Sequence, residues 1–238
     1  MSKPLLEAQD LHRSFGLTPA VDGISFTVDV GRVLVVLGPN GAGKSTLLAL
    51  LSGALSPQEG SVRIGDVRVG GRDVVWRTQV GVLSHQSFLY GHLTARENLR
   101  FYGRLYGIGD PETRALELLE AVGLAEHAHR RVREFSRGMS QRLALARTLV
   151  HSPSLVLLDE PFTGLDRSAA LGLRDTVREL RDQKKAVVLV THHLHEGAVL
   201  ADDIAIQVRG RFALHGDDFP SDPTEFEALY HRTVAGTS

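Results

Sequence analysis

The sequence predicts an α/β domain with a mostly parallel core sheet, an antiparallel β lobe and an inserted helical subdomain. Three observations predict this class. An apolar run, Val33 to Leu37, leads through a glycine-rich turn into a leucine-rich helix. A second aliphatic run, Leu155 to Leu158, is typical of a buried parallel strand and ends at two carboxylates. Segments 5–15, 21–30 and 61–69 alternate apolar and polar residues, as half-buried antiparallel strands do.

The composition restricts the class of protein. A formal net charge of -1 gives no basic excess, so we expect no nucleic-acid partner. The absence of cysteine excludes disulfides, and the N-terminus lacks the apolar region of a signal peptide. The longest apolar runs are far shorter than the roughly 20 residues that a bilayer span requires. We therefore expect a cytosolic chain that does not cross a membrane by itself.

The pattern of elements predicts one domain over residues 1–238, a length that suffices for a full core. The catalytic core and its antiparallel lobe are expected over about 1–85 and 152–215. The helical subdomain is expected over about 87–151, because Asp110 and Pro111 start a helix there. A polar turn and a short helix should complete the chain over 216–238.

The glycine-rich turn has the pattern of a phosphate-binding loop. Its glycines lack the Cβ atoms that would block close approach, so backbone N–H groups can surround an anion at the helix N-terminus. Lys44 adds a positive charge for the β- and γ-phosphates, and Ser45 offers a hydroxyl to magnesium. The residues expected to contact the phosphates are Gly38, Pro39, Asn40, Gly41, Ala42, Gly43, Lys44, Ser45 and Thr46. The alternative is a structural turn that carries the same residues without a ligand.

The two carboxylates after the second aliphatic run have different predicted roles. Asp159 can hold magnesium through water. Glu160 lies one residue further and should point the other way along the pleat, where it can polarise an attacking water. A solvated strand end is the alternative.

Three further polar or aromatic residues are candidates by position. Gln86 follows the short strand that begins at Val80, so its amide can ligate magnesium or hold a water; a solvated loop residue is the alternative. His192 follows the strand Ala186 to Val190, which places it near a γ-phosphate. Phe15 lies between the first two alternating segments, where its ring either stacks on an adenine base or is an ordinary strand side chain.

The segment after Gln86 is unusually aromatic. Two interpretations stay open: a groove for a partner protein, or packing inside a helical core, which the helical spacing of some of these residues favours equally. The residues concerned are Phe88, Leu89, Tyr90, Leu93, Phe101, Tyr102 and Tyr106.

A second helix N-terminus is predicted at Ser136, Arg137, Gly138 and Met139, where it can face an anion. This segment resembles the signature loop of ATP-binding-cassette (ABC) ATPases, usually written LSGGQ. Ser136 and Gly138 fit that loop, whereas Arg137 and Met139 depart from it. Six elements follow the order of this family along nearly the whole chain: residues 38–45, 86, 136–139, 155–160, 164–166 and 192. The chain thus resembles a P-loop NTPase of ABC type, the nucleotide-binding subunit of a transporter.

The resemblance implies ATP and Mg²⁺ as cofactors, with a second ATP-binding subunit arranged head to tail, most simply a second copy. Loop 38–45 of one subunit and loop 136–139 of the other would then enclose each ATP. Residues 86–106 would hold a cytoplasmic helix of an integral membrane transporter subunit, which places the chain peripherally on the cytoplasmic face of the membrane.

A narrower resemblance concerns the transported substrate. Segment 84–99, together with Phe135 to Met139, is similar to the ATPase subunit of the haem exporter of bacterial cytochrome c maturation. The expected function is therefore ATP hydrolysis that powers export of haem. The alternative is a drug, lipid or polysaccharide exporter. A soluble ABC ATPase acting on ribosomes or DNA is expected less, because the chain has one cassette and no basic excess.

Overall fold

The computed structural model describes residues 4–72, 74–84 and 86–237. Its strands are β1 (Leu6–Phe15), β2 (Thr18–Val28), β3 (Val33–Leu37), β4 (Glu59–Ile64), β5 (Val67–Arg68), β6 (Val80–Leu83), β7 (Leu155–Asp159), β8 (Ala186–Val190), β9 (Asp203–Val208) and β10 (Arg211–Gly216). Its α-helices are α1 (Lys44–Leu51), α2 (Trp76–Gln79), α3 (Ala95–Leu105), α4 (Pro111–Ala121), α5 (Arg137–Thr148), α6 (Arg167–Asp182), α7 (Leu194–Leu200) and α8 (Pro223–Gly236). Single 3₁₀ turns lie at Ala125–His127 and Val132–Glu134.

A six-stranded sheet forms the core, in the order β10-β9-β3-β8-β7-β6. Every neighbouring pair from β9 to β6 is parallel, and β10 is antiparallel to β9. All five residues of β3 and of β8 are buried, because both faces of a parallel sheet are covered. The prediction of a mostly parallel core sheet is confirmed. The carboxyl ends of β3, β6, β7 and β8 meet at one edge, where open α/β sheets bind ligands.

A four-stranded antiparallel sheet, in the order β2-β1-β4-β5, forms the predicted lobe. Simple alternation along 21–30 places Val21 on the same face as Ser25 and Thr27, yet Val21 is 1% exposed. The register explains this difference: Leu11 pairs with Ile24 and His12 with Asp22, so Gly23 is an extra, bulged residue and the phase shifts by one.

Helix α1 lies between the two sheets. Its leucines belong to one buried cluster with side chains of β1, β2, β4 and the core strands. The opposite face of the core sheet packs against α5, α6, α7 and α8. The sandwiched position explains why α1 is apolar on most of its sides.

A third buried cluster holds the helical region together through α3, α4 and α5. Thr94 and Glu97 form a capping box at the start of α3, and Asp110 caps α4 with Pro111 in its first turn. The final helix has 14 residues, so it is longer than the predicted short helix. The helix continues to Gly236 because Phe226, Tyr230 and Val234 are spaced four residues apart and keep one apolar face of the helix on the core. Within the described residues, no helix combines the length and apolarity that a membrane span would need.

Candidate functional site: a phosphate loop beside two carboxylates

The turn from β3 into α1 is shaped by glycine backbone conformations. A Cβ on Gly38 would lie 2.2 Å from the carbonyl oxygen of Gln207, and one on Gly43 would lie 1.8 Å from that of Ala20. Gly41, in contrast, has a φ of +80°, and a Cβ added there would meet no heavy atom within 4 Å. The sequence interpretation assigned all three glycines to approach of the anion. The structure shows that Gly38 and Gly43 instead make room for the backbone of β9 and β2, and only Gly41 borders open space.

The other residues of this loop divide into buried and exposed members. Ala42 is buried; its N–H donates to the Pro39 carbonyl at 3.2 Å, and its carbonyl accepts from Gly210 N–H at 3.0 Å. Asn40 is exposed, and Thr46 is half-buried within α1. The loop is thus tied to the strands beneath it and open above Asn40.

Lys44 is held inside the loop. Its side chain is 7% exposed, and Nζ donates to the carbonyl oxygens of Gly38 at 2.7 Å and Pro39 at 3.0 Å. Burial lowers the pKa of Lys44, and the nearby Glu160 and Asp159 carboxylates partly oppose that shift. An ammonium group has three N–H donors, so one remains for a ligand such as a phosphate oxygen.

Ser45 and Asp159 meet at the sheet edge. Ser45 Oγ donates to Asp159 Oδ1 at 3.4 Å, although the two residues come from α1 and β7. A hydroxyl and a carboxylate are hard oxygen ligands of the kind Mg²⁺ prefers, so this pair fits the ion that the sequence predicts. Gln86 follows β6 at the same edge; its side chain is exposed and, within the described residues, makes no hydrogen bond, while its carbonyl accepts from Ser84 Oγ at 2.9 Å.

Glu160 and His192 are in direct contact. The Oε2 atom of Glu160 accepts from His192 Nδ1 at 2.8 Å, from Thr191 Oγ1 at 3.2 Å and from His192 N–H at 3.3 Å. The sequence attributes the orientation of the Glu160 side chain to the pleat of the strand, and this explanation is wrong. β7 ends at Asp159, and Glu160 has a left-handed backbone with φ of 49°, fixed by its N–H bond to the Val190 carbonyl at 2.8 Å. The sequence interpretation also missed Thr191 as a partner of this carboxylate.

The predicted second anion-facing segment begins α5. Ser136 caps this helix by accepting from Met139 N–H at 3.2 Å, and both Ser136 and Arg137 are exposed, with Gly138 beside them. The Arg137 side chain covers Gly164, because a Cβ there would lie 2.4 Å from Arg137 Nε. Across the described residues, residues 136–139 make no hydrogen bond to the phosphate loop, so one chain does not bring the two segments together.

Phe15 lies at the end of β1, where it pairs with Thr18 across the hairpin. Its ring is 55% exposed, and the Arg13 guanidinium lies 5.5 Å from the ring centre. Two residues past Thr18, Ala20 borders Gly43 of the phosphate loop. The exposed ring thus lies on the hairpin whose second strand borders the phosphate loop, and both stacking on a base and an ordinary strand role fit this position.

The aromatic segment divides between the two interpretations. Leu99 is 1% exposed in the helical core, but four rings form an aromatic surface, defined here as Phe88, Tyr90, Phe101 and Tyr102. Tyr90 is 48% exposed and packs edge-on against Phe101, with ring centres 5.1 Å apart. Tyr102 donates to the Phe88 carbonyl at 2.6 Å.

Two polar residues that the sequence interpretation missed, one buried and one half-buried, support the aromatic surface. Asn98 is fully buried; its Oδ1 accepts from Tyr90 N–H at 2.8 Å, and its Nδ2 donates to the Tyr90 and Thr94 carbonyls. The Arg147 guanidinium lies 5.7 Å from the ring centre of Phe88 and donates to the Val82 carbonyl of β6 at 2.7 Å. Burial lowers the pKa of Arg147. This arginine joins the aromatic surface to the core strand that precedes Gln86.

Comparison with known proteins agrees with this geometry. Residues 21–163 match the family model described as "ABC transporter". The chain is 35% identical over 214 residues to the linearmycin resistance ATP-binding protein LnrL of Bacillus subtilis (strain 168), covering 89% of this chain and 69% of that protein. It is 37% identical over 218 residues to the Nod factor export ATP-binding protein I of Rhizobium sp. (strain N33), covering 91% and 72% respectively.

A solved structure supports the same assignment. The ATP-binding subunit of an ABC transporter superposes with a TM-score of 0.82 at 30% identity, over 89% of each chain. The ABC type of the fold is thereby confirmed. The phosphate loop, the paired carboxylates and these similarities together show that the chain belongs to the ABC transporter family, as one of its ATP-binding and ATP-hydrolysing chains.

Proposed function

We propose that this chain is the ATPase subunit that powers an exporter of drugs, lipids or polysaccharides. The observation that carries the proposal is the juxtaposition of Lys44 in the phosphate loop with the Asp159 and Glu160 carboxylates at the end of β7 and directly after it. The relatives are named for linearmycin resistance and Nod factor export, which favours this substrate class. Haem export, which the narrower resemblance predicted, becomes the second candidate because neither of these relatives is named for it.

The phosphate loop is proposed to hold the triphosphate of ATP. Lys44 keeps one N–H donor for it, and a Cβ position at Gly41 would border open space, which leaves room for an anion at the start of α1. Ser45 and Asp159 supply the oxygen ligands for Mg²⁺, with Gln86 at the same edge as a further amide ligand. When bound, ATP would supply the phosphoanhydride bond that is split, and Mg²⁺ would neutralise part of the negative charge of the triphosphate.

Glu160 is proposed to polarise the attacking water. Its Oε2 already accepts three hydrogen bonds from Thr191 and His192. Its Oε1 accepts none within the described residues, so this oxygen is the one that can accept a proton from water. His192 and Thr191 thus orient the carboxylate rather than take the proton themselves, and His192 remains 52% exposed toward a ligand.

A second subunit is proposed to complete the ATP site. Ser136, Arg137 and Gly138 form a helix start at the surface, and the first turn of α5 carries no acidic residue. Placed head to tail on a second copy, this segment would face the triphosphate held in the partner's loop. Arg137 would add a positive charge to that contact, provided that it leaves Gly164.

A membrane subunit is proposed to dock on the aromatic surface and the adjoining residues 86–106. Exposed aromatic rings that Asn98 and Arg147 hold in place are a suitable contact for an apolar helix face. Through Arg147 and Val82, this surface connects to the strand before Gln86. Its docking would place the chain peripherally on the cytoplasmic face of the membrane.

Substitution of Glu160 tests the hydrolytic part of the proposal. Glu160→Gln should keep ATP binding, because Glu160 is not part of the phosphate loop, and should lower turnover by a factor on the order of 10²–10⁴. Calorimetry measures the affinity, and phosphate release measures turnover. Glu179→Gln, an exposed glutamate on α6, is the matched control and should retain full turnover. Near-normal turnover in Glu160→Gln would refute the assigned role.

The docking proposal is tested separately. Tyr90→Asp puts a charge on the aromatic surface, so it should abolish co-purification with the membrane subunit of the transporter while leaving the isolated chain folded. Leu116→Asp is the matched control, since Leu116 is 47% exposed on α4 and Tyr90 is 48% exposed. Equal recovery of the membrane subunit with both variants would contradict the docking site.

A further inference from the structure

A cluster of one carboxylate and two imidazoles lies near the phosphate loop, and one of the imidazoles has no part in the proposed hydrolysis. Glu160, His192 and His193 each offer one ligand atom, and the three atoms lie within 4.8 Å of one another. Glu160 and His192 belong to the proposed hydrolytic machinery, but His193 has no role in it. Its presence makes the set two imidazoles and one carboxylate.

The local backbone explains why two consecutive histidines share one side. Thr191 Oγ1 accepts from His193 N–H at 3.1 Å, which turns the chain directly after β8. The two imidazole rings consequently overlap, with centres 4.2 Å apart and planes 33° apart. Phe162 packs edge-on against His193, with ring centres 6.4 Å apart.

His193 also has an unsatisfied nitrogen. Its Nε2 is buried and, within the described residues, has no hydrogen-bond partner. Buried ring nitrogens are normally paired, so an unpaired one on a ring that contacts a second imidazole leaves a position for a partner such as a cation. The cluster itself suits a cation, because Glu160 is anionic and both histidines can bind as neutral rings, although the Lys44 ammonium also lies near the Glu160 carboxylate.

The geometry points to a regulatory site for a divalent transition cation, represented by Zn²⁺, formed by Glu160, His192 and His193. Zn²⁺ binds imidazole nitrogen and carboxylate oxygen at about 2.0–2.2 Å, so ligand atoms around it lie about 3.4 Å apart, which small side-chain rotations reach from the observed cluster. Mg²⁺ does not compete well here, because it prefers oxygen ligands in an octahedral arrangement. Three protein ligands leave a fourth position for water.

Bound Zn²⁺ would inhibit hydrolysis, a consequence that rests on the proposed function. The cation takes Oε2 of Glu160 and a ring nitrogen of His192, so the carboxylate loses its orientation for water. The phosphate loop is not part of the cluster. We therefore expect Zn²⁺ to lower kcat while the KM for ATP stays unchanged.

The test uses the untagged chain and His193→Gln, which removes the imidazole and keeps a side chain of similar size. Calorimetry without nucleotide should show one Zn²⁺ per chain, and His193→Gln should weaken this binding about tenfold or more. His231→Gln is the matched control, because His231 is an exposed histidine with Nε2 3.6 Å from a Glu227 carboxylate oxygen. It should bind Zn²⁺ like the unchanged chain.

Turnover in zinc-buffered Mg-ATP gives the second readout. His193→Gln should keep the zinc-free rate, and its half-inhibiting Zn²⁺ concentration should rise by about tenfold or more. Equal zinc affinity in the unchanged chain and in both His193→Gln and Glu160→Gln would overturn the site, whatever the turnover. Zinc binding that depends on His193 in a chain without ATP turnover would uphold the site and overturn the proposed hydrolytic role instead.

Discussion

The two helix starts for which we propose phosphate contacts are built differently. Helix α1 begins inside the fold: Lys44 is 7% exposed, and the helix lies between the two sheets. Helix α5 begins at the surface, where Ser136 makes a single capping bond and Arg137 rests on Gly164. One chain therefore contains a helix start anchored inside the fold and a separate, exposed one, as we expect if a second chain completes the proposed ATP site.

The largest loss of stability is expected from a substitution at Gly43, where the phosphate loop packs against β2. Gly43→Ala puts a Cβ 1.8 Å from the Ala20 carbonyl oxygen at a φ of +102°, so backbone strain and overlap add. We expect the free energy of unfolding to fall by about 3 kcal/mol or more. Gly41→Ala is the control: with φ +80° and no atom within 4 Å, it should lose only about 1–2 kcal/mol, as a left-handed non-glycine residue does. Equal losses in urea unfolding would contradict the assigned roles.

A smaller effect is expected on ATP affinity, which should depend on the start of α1 and not on the start of α5. Lys44→Ala removes the ammonium whose remaining N–H donor is proposed to bind a phosphate oxygen, so the ATP affinity of one chain should fall by a factor on the order of 10². Ser136→Ala should leave that affinity unchanged and cost about 1 kcal/mol of stability through the lost cap. Calorimetry on dilute protein distinguishes these outcomes. A loss of affinity in Ser136→Ala would show that a single chain already uses α5.

The sequence predicts well what neighbouring residues determine. The phosphate loop, the strand before Asp159 and the cap at Asp110 each depend on a few consecutive residues, and the structure contains all three elements. The aliphatic runs also predict parallel strands, because burial on both faces removes the alternation.

Contacts between distant segments could not be predicted in the same way. Glu160 meets His192 only because β7 and β8 end side by side and Glu160 adopts a left-handed backbone. Arg137 covers Gly164 through the packing of α5 against the segment after β7. The spacing of residues along the chain does not predict either of these two contacts.

The molecular mass in solution decides whether two chains must join to complete an ATP site. Glu160→Gln should bind ATP without splitting it, so sedimentation equilibrium of this variant should show monomers without nucleotide and dimers with ATP. The double variant Glu160→Gln, Lys44→Ala should stay monomeric in both conditions, since its phosphate loop no longer holds the nucleotide. A Glu160→Gln chain that binds ATP by calorimetry and still sediments as a monomer would contradict a site shared between two chains.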